Sequence, residues 1–131
     1  MDIFAAFSTD EKLESEGKWF PISKTAKIKV ARSGNPNYTA MLREKLKEAQ
    51  LDMMPGEEGE AVAEAILIEV AAKTLLVDWT GLKDAQGNDV PYSTAQAAKY
   101  LGVKDFRAKV RGFADNFEAF RLKAEAEQGN A

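Results

Sequence analysis

The sequence predicts a mainly α-helical single domain with one small N-terminal β-hairpin. After Asn35, apolar residues recur at helical spacing over most of the chain. Before it, a short stretch alternates apolar and basic residues with a period of two. The length, 131 residues, suits one domain enclosing one core, with residues 1–34 as a hairpin region and 35–131 as a helical body.

The hairpin is expected over about residues 17–32. Lys18-Trp19-Phe20-Pro21-Ile22 is rich in strand formers and follows Gly17; Pro21 lacks an N–H, which puts this strand at an edge. Ser23-Lys24-Thr25 is short enough for the connecting loop. In Ala26–Arg32 the alternation sets Ile28 and Val30 on one face and Lys27, Lys29 and Ala31 on the other.

Four helices are expected next. Asn35-Pro36 has the form of an N-cap followed by a first helical residue, and Tyr38, Met41, Leu42, Leu46 and Ala49 follow at helical spacing, predicting a helix over 36–50. Asp52–Gly59, with Pro55, Gly56 and Gly59, reads as a break or mobile loop. Ala61, Ala65, Ile68, Ala72, Leu75 and Trp79 step by four and three and predict a second helix over 60–78. Val62, Ile66, Val70 and Leu76 widen its stripe, as expected for a central buried helix; its length and the charges of Glu69 and Lys73 argue against a membrane span.

Trp79–Tyr92 reads as a structured loop in which Gly81 and Gly87 permit turns and a small hairpin is possible. Ser93 caps a third helix over 94–101, with Gly102 at the left-handed C′ position. Phe106, Val110, Phe113, Phe117 and Phe120 form a narrow seam along a fourth helix over 105–127. The polar tail Gln128–Ala131 is expected to fray.

Composition narrows the chemistry. The chain has no cysteine and no histidine, which excludes thiolate ligands, disulfides and the commonest general base. A net charge of −3 supplies no long-range attraction for phosphates. Met1-Asp2-Ile3-Phe4 has no basic residues ahead of its apolar ones, unlike a secretory signal, and a cytoplasmic location is expected. No metal or cofactor is expected. Glu57, Glu58, Glu60 and Glu64 suit the first turns of a helix, where its dipole favours negative charge, better than a cation site. Asp84, Asn88 and Asp89 lack the spacing and closing glutamate of a calcium loop, and the glycines form no phosphate-binding fingerprint. Tyr92, Ser93 and Tyr100 have no candidate base nearby in sequence; packing and capping are their expected roles.

Two surfaces are candidates for binding. Lys24, Lys27, Lys29 and Arg32 make a basic strand face beside Trp19 and Phe20. It reads as edge protection or a protein contact, and alternatively as a single-strand nucleic-acid surface. The phenylalanine seam reads either as the core-facing side of its helix or as a partly exposed groove that receives another chain, with Phe113, Phe117, Phe120 and Arg121 as contacts.

The order of these features resembles the tail assembly chaperones of long-tailed, siphovirus-type bacteriophages and prophages. Val77-Asp78-Trp79-Thr80-Gly81 is followed by a turn with Asp84, Gly87 and Asn88. Val90-Pro91-Tyr92-Ser93 and a short helix with Ala95, Ala98, Tyr100 and Leu101 come next, then the spaced phenylalanines. Lys18-Trp19-Phe20, Ile28-Lys29-Val30-Ala31-Arg32 and Gly34-Asn35-Pro36 extend the likeness over most of the chain. Trp79, Gly81, Gly87, Tyr92 and Ser93 carry it as structural positions. The resemblance implies a non-enzymatic protein that binds the tape-measure protein, keeps it soluble, recruits tail-tube subunits and is absent from the finished virion. Weak self-association is a further expectation; nucleic-acid and membrane partners are not. The rival readings are an interaction module of non-phage origin, a carboxylate-dependent enzyme and a nucleic-acid binder.

Overall fold

A computed structural model describes residues 1–49 and 56–122. In chain order the elements are α1 (Ile3–Ala6), α2 (Glu11–Glu16), β1 (Lys18–Pro21), β2 (Lys27–Val30), α3 (Pro36–Ala49), α4 (Gly56–Thr74), β3 (Leu76–Thr80), α5 (Thr94–Leu101), α6 (Lys104–Ala114) and α7 (Phe117–Phe120). The protein is therefore mixed α/β: seven helices among the described residues and a three-stranded antiparallel sheet in the order β1-β2-β3. This corrects the expectation of a mainly α protein with a lone hairpin.

The hairpin forms where the alternation predicts it. Lys18 pairs with Val30 and Pro21 with Lys27, and Pro21 lies on the outer strand. Ser23 Oγ accepts from the backbone N–H groups of Thr25 and Ala26, closing the turn. Ile28 and Val30 are fully buried, whereas Lys27 is exposed.

The third strand is where the sequence misleads. Instead of one helix over 60–78, α4 ends at Thr74, whose hydroxyl turns back to the Val70 carbonyl at 2.7 Å, and the chain reverses into β3. The β-branched and aromatic residues Val77, Trp79 and Thr80 suit a strand better than a helix. Val30 pairs with Leu76 and Lys29 with Asp78, so Val77 is an extra, bulged residue. The bulge turns both Leu76 and Trp79 into the core although they are three apart in sequence. That spacing imitates one face of a helix, which is why the pattern reads as a continuation of α4.

Four further expectations are corrected. The last helix is not continuous over 105–127: it stops at Ala114 and restarts at Asn116, whose Oδ1 accepts from Ala119 N, to form the single turn of α7; residues 123–127 lie outside the described residues. Gly102 is not left-handed but has φ −66°, because the chain runs almost directly from α5 into α6. The N-terminal third holds two short helices, each capped by an aspartate: Asp2 bonds Phe4 N and Asp10 bonds Leu13 N. The predicted 36–50 helix is found as Pro36–Ala49, with Gln50 outside the described residues. Asn35 caps it, accepting from Asn37 N and Tyr38 N at 3.0 and 3.1 Å, while its own amide donates to Arg32 O. Of the predicted 52–59 break, Gly56–Gly59 is already helical and 52–55 lies outside the described residues.

One core joins both halves of the chain. It takes Phe20, Ile28 and Val30 from the hairpin, Ala71, Ala72, Leu75, Leu76 and Trp79 from the α4–β3 unit, and Ala97, Leu101, Val110, Ala114 and Phe120 from the C-terminal helices. α4 is buried only from Ile66 onward; none of Gly56–Ala65 is buried and Leu67 is 38% exposed. The expectation of a central helix enclosed along its length therefore holds for its second half alone. No helix among the described residues is long and apolar enough to cross a membrane.

Candidate protein-binding groove

The segment Trp79–Ser93 is a saturated structural unit. The Trp79 indole N–H donates to Val90 O at 2.7 Å. Its ring lies 4.8 Å from Tyr92 and 5.3 Å from Tyr100. Tyr92 Oη donates to Leu76 O at 2.9 Å, covering a carbonyl of the strand, and lies 3.3 Å from Ala72 O. Asp84 Oδ1 accepts from Gln86 N and Asn88 N, and Gly87 turns the chain with φ +84°. Gly81 sits at φ +77° against the Thr25 carbonyl, where a Cβ would collide with the backbone of the hairpin turn. Ser93 Oγ accepts from Gln96 N and opens α5. These residues anchor β3 and the α5 start to the core.

The phenylalanine seam is dispersed. Phe120 is fully buried, and the Arg32 guanidinium lies 5.8 Å from its ring. Phe113 is half-buried and stacked on Phe20, 4.4 Å between centroids at 16°. Phe117 is half-buried and 5.2 Å from Phe7. The break at Asp115–Asn116 turns Phe117 toward Phe7 and away from Phe113 and Phe120, which both pack on Phe20, at 4.4 and 6.3 Å between centroids. Arg121 is exposed, bridged to Thr9 through the backbone and paired with Glu118 at 3.8 Å. Lys27 and Lys29 lie on the outward face of the hairpin, with Lys29 Nζ 5.9 Å from the Trp19 ring. The basic face is shared with an acid, since Lys29 pairs across the sheet with Asp78.

A groove of about 520 Å³ opens instead between α3, α4 and α6. Leu67, Ala71, Leu75, Leu101 and Val110 supply its apolar lining. Glu60 and Glu64 stand on the α4 side; Lys104, Arg107 and Arg111 stand on the α6 side. One ion pair spans it, Arg107 to Glu64 at 3.3 Å, and Arg107 also donates to Leu101 O at 2.8 Å. Sequence reasoning assigns Glu60 and Glu64 to a helix start and does not bring them together with α6. A usable signal is present all the same: α4 carries more apolar surface than a single core face needs, and Leu67 is the excess.

Elsewhere on α4, Lys73 and Lys45 hold the Glu69 carboxyl below its ordinary range, through hydrogen bonds first and charge attraction second. Among the described residues no group of three or more acidic side chains comes together as a metal site.

A small sheet covered on one face by helices, with a charged groove between α4 and α6, defines a helix-on-sheet scaffold. The chain matches the profile of the YdaY prophage protein family over residues 33–130 and belongs to that family. The match begins just before α3 and takes in the groove and the Trp79–Ser93 unit. No curated protein and no solved structure matches the chain.

Proposed function

We propose that this prophage protein is a tail assembly chaperone that binds the tape-measure protein of its own prophage, keeps it soluble, and recruits tail-tube subunits as the tube forms. The reading assigns it no catalysis, an action in the host-cell cytoplasm, and absence from the mature virion. The observation that carries it is the α3–α4–α6 groove, with Leu67 on its lining and charge along both sides. A tape-measure protein is expected to be a long amphipathic helix, and such a helix buries an apolar stripe in a groove of this kind. Burying one leucine-sized side chain is worth about 1.5–3 kcal/mol, so each contact is weak and reversible, and many copies along one filament give avidity. The uncovered sheet face with Trp19, Lys27 and Lys29 is the second contact surface the reading uses, for tail-tube subunits or neighbouring copies.

The experiment is co-expression with the tape-measure protein encoded in the same prophage. Soluble co-purification is expected, reduced at least tenfold by Leu67→Gln in a chain that still melts cooperatively. Persistent aggregation of the tape-measure protein beside the wild-type chain would sink the reading.

A further inference from the structure

We infer that the groove selects an amphipathic helix with one acidic and one basic flank, and that it thereby fixes the direction in which the bound helix runs. The inference rests on the helix-binding reading above and adds the chemistry of the ligand. The two helices carry opposite charge at the groove: Glu60 and Glu64 stand on α4, continuing the row of Leu67 and Ala71 toward the helix start, and Lys104, Arg107 and Arg111 stand on α6, Arg111 lying 3.9 Å from Asp115. A helix seated on the apolar lining presents one flank to each bank. Acidic residues on the flank facing α6 meet three cations, and basic residues on the flank facing α4 meet two carboxylates. Turning the helix end for end exchanges its flanks and sets like charge against like on both sides. The apolar lining supplies affinity without regard to direction, since hydrophobic contact is non-directional; the banks supply the direction.

The Arg107–Glu64 pair fits this role. It links the two banks in the free protein, and Glu64 is well exposed, so solvent screens the pair and its opening is inexpensive. A docking helix replaces that one pair with two, its own carboxylate on Arg107 and its own ammonium on Glu64. Arg107 stays aimed at the groove because Leu101 O holds its other nitrogen.

The test uses the intact protein and three synthetic helical peptides sharing one leucine stripe. One has a glutamate flank and a lysine flank, one glutamate on both, one lysine on both. The split peptide is expected to bind at least tenfold more tightly than either uniform one at low salt, with the advantage shrinking at high salt. A nitroxide on the split peptide's N-terminus is expected to broaden amide signals at one end of the α4 side of the groove, near Glu60 or near Ala71, and moving it to the C-terminus should switch ends. Equal affinity for the three peptides, or equal broadening at both ends from either label, overturns the inference. Should the tape-measure protein co-purify while the peptides bind indiscriminately, the direction-selecting groove fails and the chaperone reading stands. Selective peptide binding without tape-measure binding supports the direction-selecting groove and overturns the chaperone reading.

Discussion

The Trp79–Ser93 unit and the α3–α4–α6 groove are built on opposite principles. The first is dense in distinctive residues whose polar groups are matched: indole to Val90, phenol to Leu76, Ser93 to Gln96. The second is made of leucine, alanine, glutamate and arginine, and its floor belongs to the core: Leu75, Leu101 and Val110 are buried, and Leu67 is the exposed apolar side chain at its mouth. The difference teaches that the residues most recognisable in a sequence serve the fold, while the candidate contact surface is assembled from common residues brought together by helix packing.

That contrast is open to direct challenge. Phe120→Ala empties a fully buried site and should cost about 3–5 kcal/mol in a denaturant melt. Its loss of partner binding should track unfolding alone, and wild-type stability would break the contrast by making the ring a surface contact. Within the Trp79 unit, Trp79→Phe leaves the Val90 carbonyl without its donor, and a loss of about 1–3 kcal/mol is expected by the same measurement. Ser93→Ala removes the cap of α5 and should cost about 0.5–2 kcal/mol. Groove substitutions sharpen the other side: Leu67→Gln should leave the melt within about 0.5 kcal/mol of wild type, as for exposed positions generally, while tape-measure co-purification falls.

The smallest effect concerns pH. The Glu69 carboxyl lies below its ordinary range in the folded chain, so the folded state binds its proton less readily than the unfolded state does. Its contribution is present above the unfolded pKa, near 4.5, and fades as pH falls through the lower folded value. Glu69→Gln should lower stability slightly near neutrality, where the contribution is present, and the gap to wild type should close as pH falls through the acidic window, checked by melts from neutral to acid pH.

Much of the local structure is legible in the sequence. The alternation in Lys27–Val30, the Asn35-Pro36 helix start and the Ser93 cap are short-range signals, and each appears where expected. The failures are mostly non-local. β3 is hidden because pairing with β2 decides its conformation and the bulge at Val77 gives it helical spacing. The seam from Phe106 to Phe120 has an unbroken helical period. The turn at Asp115–Asn116 nevertheless divides it, and Asn116, a capping residue inside the pattern, is the available warning. The two N-terminal helices escape a reading by periodicity because they are too short to show one, although Asp10 with Glu11 and Leu13 forms a helix start. The groove is unreadable from either helix alone, because Glu64 and Arg107 belong to separate elements that only the folded chain brings into contact.

The bulge also has an evolutionary consequence. Val77 is the one residue of β3 with no opposite number on β2. Removing its codon would leave Leu76, Asp78 and Trp79 alternating in, out and in, so both core side chains would keep their face. A frame-preserving deletion there is therefore expected to be tolerated better than one at Asp78, which would bring Val77 into register in its place and set an apolar side chain opposite Lys29. Length variation among relatives should collect at that point of the strand, while the spacing from Trp79 to Val90, tied by the indole hydrogen bond, stays constant.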